Sequence, residues 1–346
     1  MPLKELPLLL FRFMLVVILS STSFLVYARE TLRILAWDGY TDIEIVSIFK
    51  QRYDVDVVVT YANSDDDLWY KINNAPFDVF AVNTAELQRY IEHKLVVAID
   101  INHIPNQAKQ LPRFQNLANI PGLVHGNSLF AIPFTYSEMG LIFNRKAVKT
   151  IPNSMKDLWN PEYQGRVLAF NTSNHNFSMV GLLMDVVNPF AMNDSELTSA
   201  ARELVKLRRN VLTFYGTPEE VVKLYSRYEI ALIFANYGSQ QVKALQEIGA
   251  DIGYIIPREG ALAWLDCWAI TTNAANKALA EKWINFTLEQ IISERLTTKH
   301  GLANTITPFS EKYESDKIIW LEPLKEPMKR KLLWDKIISG DSLEKF

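Results

Sequence analysis

Trp264 and Asp266 stand two residues apart and make the pair with the most specific chemistry in the chain. On an extended segment that spacing puts both side chains on one face. A carboxylate beside an aromatic plate suits an ammonium group. The carboxylate accepts charge-assisted hydrogen bonds, and the ring offers an apolar surface to methylenes and a negative face to the charge. The alternative for Asp266 is a strand-end carboxylate paired with a nearby base such as Arg258. Trp37 and Tyr40 follow an apolar run and could form a second aromatic wall, or could pack under a loop.

Catalytic patterns are absent. The sequence has no G-x-S-x-G elbow, no H-E-x-x-H, no P-loop and no G-x-G-x-x-G. His93, His103, His125, His175 and His300 lack metal-ligand spacing, and Cys267 has no adjacent histidine to activate it. Glu219 and Glu220 are neighbours on a predicted helix, point in different directions and make no acid/base pair. We therefore expect a binding protein with no enzymatic activity, no cofactor and no metal.

The elements that would position these groups alternate between strand and helix. Strands are predicted at Thr31 to Ala36, Val55 to Tyr61 and Asp78 to Val82, with helices at Thr41 to Tyr53, after an N-cap at Ser64, and at Ala85 to Lys94. Further on, strands are expected near Gly140 to Asn144, Arg166 to Phe170, Ile230 to Ala235, Tyr254 to Pro257 and Ala261 to Thr271. Helices are expected at Asn176 to Val187, Ser195 to Arg209, Pro218 to Tyr228, Gln240 to Ile248 and Lys277 to Leu288. This alternation predicts an α/β fold with mostly parallel sheets covered on both faces.

At the N-terminus, Lys4 and Arg12 precede an apolar run, a Ser/Thr patch and a small residue at Ala28, the layout of a cleavable signal peptide over residues 1–28. Arg12 and Ser20 to Ser23 interrupt the roughly 20 apolar residues that a membrane anchor needs. Without that segment the chain keeps 318 of 346 residues, and losing Lys4, Arg12 and Glu5 takes the net charge from −3 to −4. Such a balance lacks the basic footprint of a nucleic-acid partner. The length suits two lobes, and with a single cysteine no intramolecular disulfide can form. No flexible linker separates the lobes, so extended crossings should join them.

Several segments carry a resemblance: Trp37-Asp38-Gly39-Tyr40, the run Phe77 to Val82, Ala131-Ile132-Pro133-Phe134, Asp157-Leu158-Trp159-Asn160-Pro161-Glu162-Tyr163-Gln164-Gly165, and Glu259-Gly260 followed by Trp264-Leu265-Asp266. Over roughly residues 31 to 310 the chain resembles the periplasmic spermidine/putrescine-binding family of ABC-transporter receptors, with the Asp157 to Gly165 run as the most specific piece. The resemblance implies the two-lobed type II periplasmic-binding-protein fold closing on a ligand by a hinge. Lobe 1 would comprise 29–135 and 257–310, lobe 2 would comprise 136–256, and a C-terminal helical segment, 311–346, would pack on both. Hinge crossings are expected near Phe134 to Gly140 and Tyr254 to Gly260. It also implies a monomer in the periplasm that captures a small amine, polyamine-like, and presents it to a membrane ABC permease. The alternatives are a co-receptor for a membrane sensor protein, or a receptor for another small solute.

In such a fold ligands sit beyond the carboxyl ends of strands, which selects Trp37 to Tyr40, Asn83 and Thr84, and Asn171 to His175. Matching the family at Trp37, Tyr40, Trp264 and Asp266 favours ligand contact there. Other family positions are changed. Thr172 and His175 stand where a carboxylate pair is expected, Ala85 and Leu302 where aromatics are, and Ala235 at an expected tryptophan, with Tyr237 as a substitute. Because an unpaired buried ammonium costs several kcal/mol, other carboxylates would have to compensate. Asp38 lies inside the aromatic motif, and Glu138 sits in the otherwise uncharged run Ile132 to Phe143, so both are candidates; Glu219 reads better as a solvated helix-start residue. His175 is either a neutral hydrogen-bonding wall or a core histidine.

Overall fold

Alternating burial along the strands sets the architecture. Ile34, Val79 and Ala81 point to one apolar cluster and Leu35, Phe80 and Val82 to another, so each face of their sheet has its own cover. The computed structural model describes residues 29–308 and 317–346. The expected signal peptide, residues 1–28, lies outside the described residues.

Strands β1 (Thr31–Ala36), β2 (Asp56–Tyr61) and β3 (Val79–Asn83) alternate with helices α1 (Ile43–Tyr53), α2 (Asp65–Asn74) and α3 (Thr84–Glu92). A short helix α4 (Pro112–Gln115) and a hairpin of β4 (Val124–His125) and β5 (Ser128–Leu129) lead to the long strand β6 (Ala131–Glu138). The second lobe follows: β7 (Gly140–Asn144), β8 (Val167–Phe170), α5 (Ser173–Leu183), α6 (Asp194–Asn210), β9 (Val211–Tyr215), α7 (Pro218–Arg227), β10 (Leu232–Ala235), α8 (Ser239–Glu247) and β11 (Ile252–Ile255). The chain then returns through β12 (Ala261–Ile270), α9 (Lys277–Thr287), α10 (Gln290–His300) and β13 (Ala303–Asn304), and ends with β14 (Ile318–Trp320) and α11 (Pro327–Ser339).

Two sheets result. The first has the order β13-β6-β12-β3-β1-β2 with β14 beside β12, and the second has the order β11-β7-β10-β8-β9. The sequence pattern predicts mostly parallel sheets; the pairings within these two sheets instead divide evenly. Among the described residues, β1–β2, β1–β3, β12–β14, β8–β9 and β8–β10 are parallel. The pairs β3–β12, β6–β12, β6–β13, β7–β10 and β7–β11 are antiparallel. The cause is the crossing strands. A helical crossover returns the chain to the same edge and forces parallel pairing, whereas β6, β7, β11 and β12 carry the chain directly from one lobe to the other.

The Asp157 to Gly165 run is structural. The Asp157 carboxylate accepts from the backbone amides of Asn153 and Ser154, and Trp159 donates its indole N–H to the Glu203 carbonyl. Gly165 sits at φ +72°, a left-handed conformation that strains any residue with a Cβ, just before β8. The C-terminal stretch joins the lobes once more: β14 extends the first sheet, while α11 packs on α5 and α6 of the second lobe. Among the described residues no helix is long and apolar enough to cross a membrane.

Candidate functional site

β12 runs through the middle of the first sheet and carries Trp264 and Asp266. Asp266 faces Asn83 of β3 on one side and Thr135 of β6 on the other, with the register slipping between Asp266 and Cys267 on the β6 side. Trp264 packs against apolar clusters of both lobes, and its indole N–H donates to the Asn236 carbonyl at 3.2 Å. Asp266 is 7 % exposed and accepts a hydrogen bond from the Tyr40 hydroxyl at 2.5 Å. Arg258 pairs with Glu259 instead, and among the described residues no lysine, arginine or histidine forms an ion pair with Asp266. Burial, reinforced by the negative charge of Asp65 and opposed by the Tyr40 hydrogen bond, pushes the Asp266 carboxyl up to about 7. Burial and the Asp266 carboxylate together hold the Tyr40 phenol well above its ordinary value.

Above this floor lies a cavity of about 780 Å³ between the lobes. Trp37, Asp65, Asn83 and Glu86 line it from the first lobe; Phe170, Thr172, His175, Asn236 and Tyr237 line it from the second, with Trp264 between them. Strand ends explain the placement, because β1, β2, β3, β8 and β10 all end at this cleft. Asn83 organises the acidic side: its side-chain oxygen caps α3 through the Glu86 amide at 2.9 Å, and its amide nitrogen donates to Asp65 at 3.1 Å. Asp65 opens to solvent within the cleft. Enclosure by the cleft walls, together with the charges of Glu86 and Asp66, still raises its carboxyl to about 6. Burial raises Glu86 as well. Asp65, Glu86 and Asp266 thus hold negative charge close together. The cation on this side, Arg89, lies 3.7 Å over the Trp69 ring and 3.8 Å from Glu86.

The opposite wall is neutral. His175 donates from Nδ1 to the Asn236 side-chain oxygen at 2.6 Å and stacks on Phe170. That bond fixes the tautomer with Nδ1 protonated, and burial lowers the ring to about 4, so the histidine is uncharged near neutral pH. Tyr237 meets Phe170 edge-on and donates its hydroxyl to the Gly216 carbonyl at 3.0 Å. Thr172 stands at the N-cap of α5, and its side chain makes no capping bond.

Of the residues singled out from the sequence, Trp37, Asn83, Thr172, His175, Tyr237 and Trp264 line this cavity. Tyr40 and Asp266 lie beneath its lining, with Asn83 and Trp264 as their links to it. Asp38 and Glu138 are not brought there. Asp38 is exposed and accepts from the Gly39 amide, and Glu138 is buried at the end of β6 with Arg113 at 3.7 Å. Glu219 is exposed and outside the lining. Asp65 and Glu86 escaped the sequence reading, although both follow strand ends. Acidic residues in a first helical turn look like dipole-stabilising surface groups, which conceals a second use.

Comparison with known proteins fits this geometry. Residues 44–319 match the family of bacterial extracellular solute-binding proteins. The chain is similar to the spermidine/putrescine-binding periplasmic protein of Escherichia coli, at 25% identity over 282 residues, covering 79% of this chain and 77% of that protein. A spermidine/putrescine-binding periplasmic protein of Haemophilus influenzae is 23% identical over 279 residues, covering 79% and 75%. The crystal structure of a spermidine/putrescine ABC-transporter substrate-binding protein from Streptococcus pneumoniae superposes with a TM-score of 0.74 at 19% identity, over 90% of this chain and 99% of that one. That likeness establishes the two-lobed fold.

Proposed function

We propose that this chain, which belongs to the bacterial extracellular solute-binding protein family, captures a small cationic amine in the cleft between its lobes and delivers it in the periplasm to an ABC permease. The family binds solutes and is not one of enzymes. The observation that carries the ligand class is the acidic first-lobe side of the cleft: Asp65 and Glu86 line the cavity about Asn83, Asp266 lies buried beneath with no ion pair among the described residues, and Asp65 and Asp266 repel each other. An incoming ammonium relieves that repulsion and replaces lost solvation. Trp37 and Trp264 supply apolar surface and ring faces beside it. The names of the relatives, which are spermidine- and putrescine-binding proteins, support the same class.

In this reading the lobes comprise 29–135 with 257–310 and 136–256, and the C-terminal segment rests on both. They close about the short crossings from β6 to β7 and from β11 to β12. A thermal-shift panel of putrescine, cadaverine, spermidine, neutral sugars and acidic amino acids tests the class. A ligand binding only the folded state at 100 times its dissociation constant adds about 2.7 kcal/mol of stability. Midpoint shifts confined to amines are expected. A shift with sugars or acidic amino acids and none with amines would overturn the reading.

A further inference from the structure

The two walls of the cleft differ in charge. On the first lobe Asp65, Glu86 and Glu92 line the cavity with Arg89, and Asp266 lies beneath; Glu322 lines it from the C-terminal segment between β14 and α11; on the second lobe every lining side chain, from Phe170 to Tyr237, is uncharged. Behind the second wall sits a cation. Arg330 of α11 is 0% exposed, donates to the Ser178 hydroxyl at 2.9 Å and to the Pro189 carbonyl at 2.7 Å, and leaves its Nε without an acceptor. Ser178 itself lines the cavity, and among the described residues no carboxylate pairs with Arg330. An ammonium placed against this wall would meet no carboxylate of the second lobe and a guanidinium one side chain away. A hydroxyl or carboxylate tail fares differently: the field of Arg330 favours it, and His175, with Nδ1 committed to Asn236, keeps Nε2 as an acceptor for a hydroxyl.

We propose that the cleft selects a one-headed amine, with its ammonium on the acidic wall of the first lobe and an electronegative, non-cationic tail on the wall of the second. This rests on the amine reading above. It separates an amino alcohol or ω-amino acid from a diamine or triamine, both of which need a second counter-charge along their length.

Three five-carbon probes differing only at one end test it by calorimetry on the full mature chain: cadaverine, 5-amino-1-pentanol and 5-aminopentanoate. The expected result is that at least one of the latter two binds about tenfold or more tightly than cadaverine. Cadaverine binding tightest would overturn the proposal and leave the amine reading standing. Binding of none of the three, with another solute class bound, would overturn both. Thr172→Asp then moves a carboxylate onto the second wall at an N-cap position, which aspartate favours. This variant should gain affinity for cadaverine about tenfold relative to 5-amino-1-pentanol. An unchanged ratio would place the tail elsewhere and overturn the proposal.

Discussion

The two ends of the β3–β12 ladder treat a buried aspartate in opposite ways. At the end away from the cleft, Asp78 is 1% exposed and saturated: Arg33 donates from Nε, Nη2 and its backbone amide, and Ala275 donates its own amide. At the cleft end Asp266 is almost as buried, but its partners are the Tyr40 hydroxyl and a nearby like charge. Glu138, on the neighbouring strand, shows the first pattern again through Arg113. A carboxylate that a fold needs is supplied with its cation. One left without a cation at the end of a ladder, just beneath a cavity, retains a demand that a ligand can meet.

Breaking each end should therefore give different results. Asp78→Ala leaves the partly exposed Arg33 and two backbone amides without their acceptor and should lower stability by about 1 to 3 kcal/mol, the cost of stranding buried hydrogen-bonding groups. Urea titration measures this. Asp266→Asn should hold or raise the unfolding midpoint near pH 8, because the site favours a neutral group. A large loss in that variant, matching Asp78→Ala, would erase the contrast. Next in size is Trp264→Leu, which removes the ring face beside the acidic group. A cation–π contact is worth about 0.5 to 2 kcal/mol, so amine affinity should fall about twofold to 30-fold.

The pH response is the subtlest prediction. Asp65 and Asp266 keep their protons to about 6 and about 7, whereas an unfolded aspartate titrates near about 3.9. Between those values the folded chain binds more protons than the unfolded one. The stability these two groups contribute is thus full below about pH 4 and is lost as pH rises through their folded values. An ammonium ligand needs both groups ionised, so its affinity should rise from about pH 5 to 8 and binding near about pH 6.5 should release protons. Titrations in buffers of different ionisation enthalpy measure that release. A binding enthalpy independent of the buffer would contradict it.

The general architecture was legible because alternating apolar runs and amphipathic stretches encode strands and helices directly, and the Asp157 to Gly165 run fixed the kind of fold. Strand direction was less so. Pro133 and the polar residues Thr135, Ser137 and Glu138 hide an eight-residue buried strand in β6, and nothing local announces that β12 runs against both β6 and β3. In the site, aromatic and amide residues following strands could be named from sequence. Asp65 and Glu86 could not, because a helix start and a ligand wall require the same residue types there. Arg330 was equally hidden, since arginine is rarely buried and only the packing of α11 on the second lobe reveals it.

Asp65 and Asp266 form the proposed seat of an ammonium. The most direct test is a calorimetric titration of 5-amino-1-pentanol and cadaverine into the wild type and the Asp65→Asn/Asp266→Asn variant, with melting temperatures recorded alongside. Removing the charged partners of a buried ammonium costs about 2 to 5 kcal/mol, so a loss of about 30-fold or more for both amines at an undiminished melting temperature is expected. Equal affinities in the two proteins would mean that these carboxylates hold no ligand charge, and the assignment of the cleft to an amine would fail.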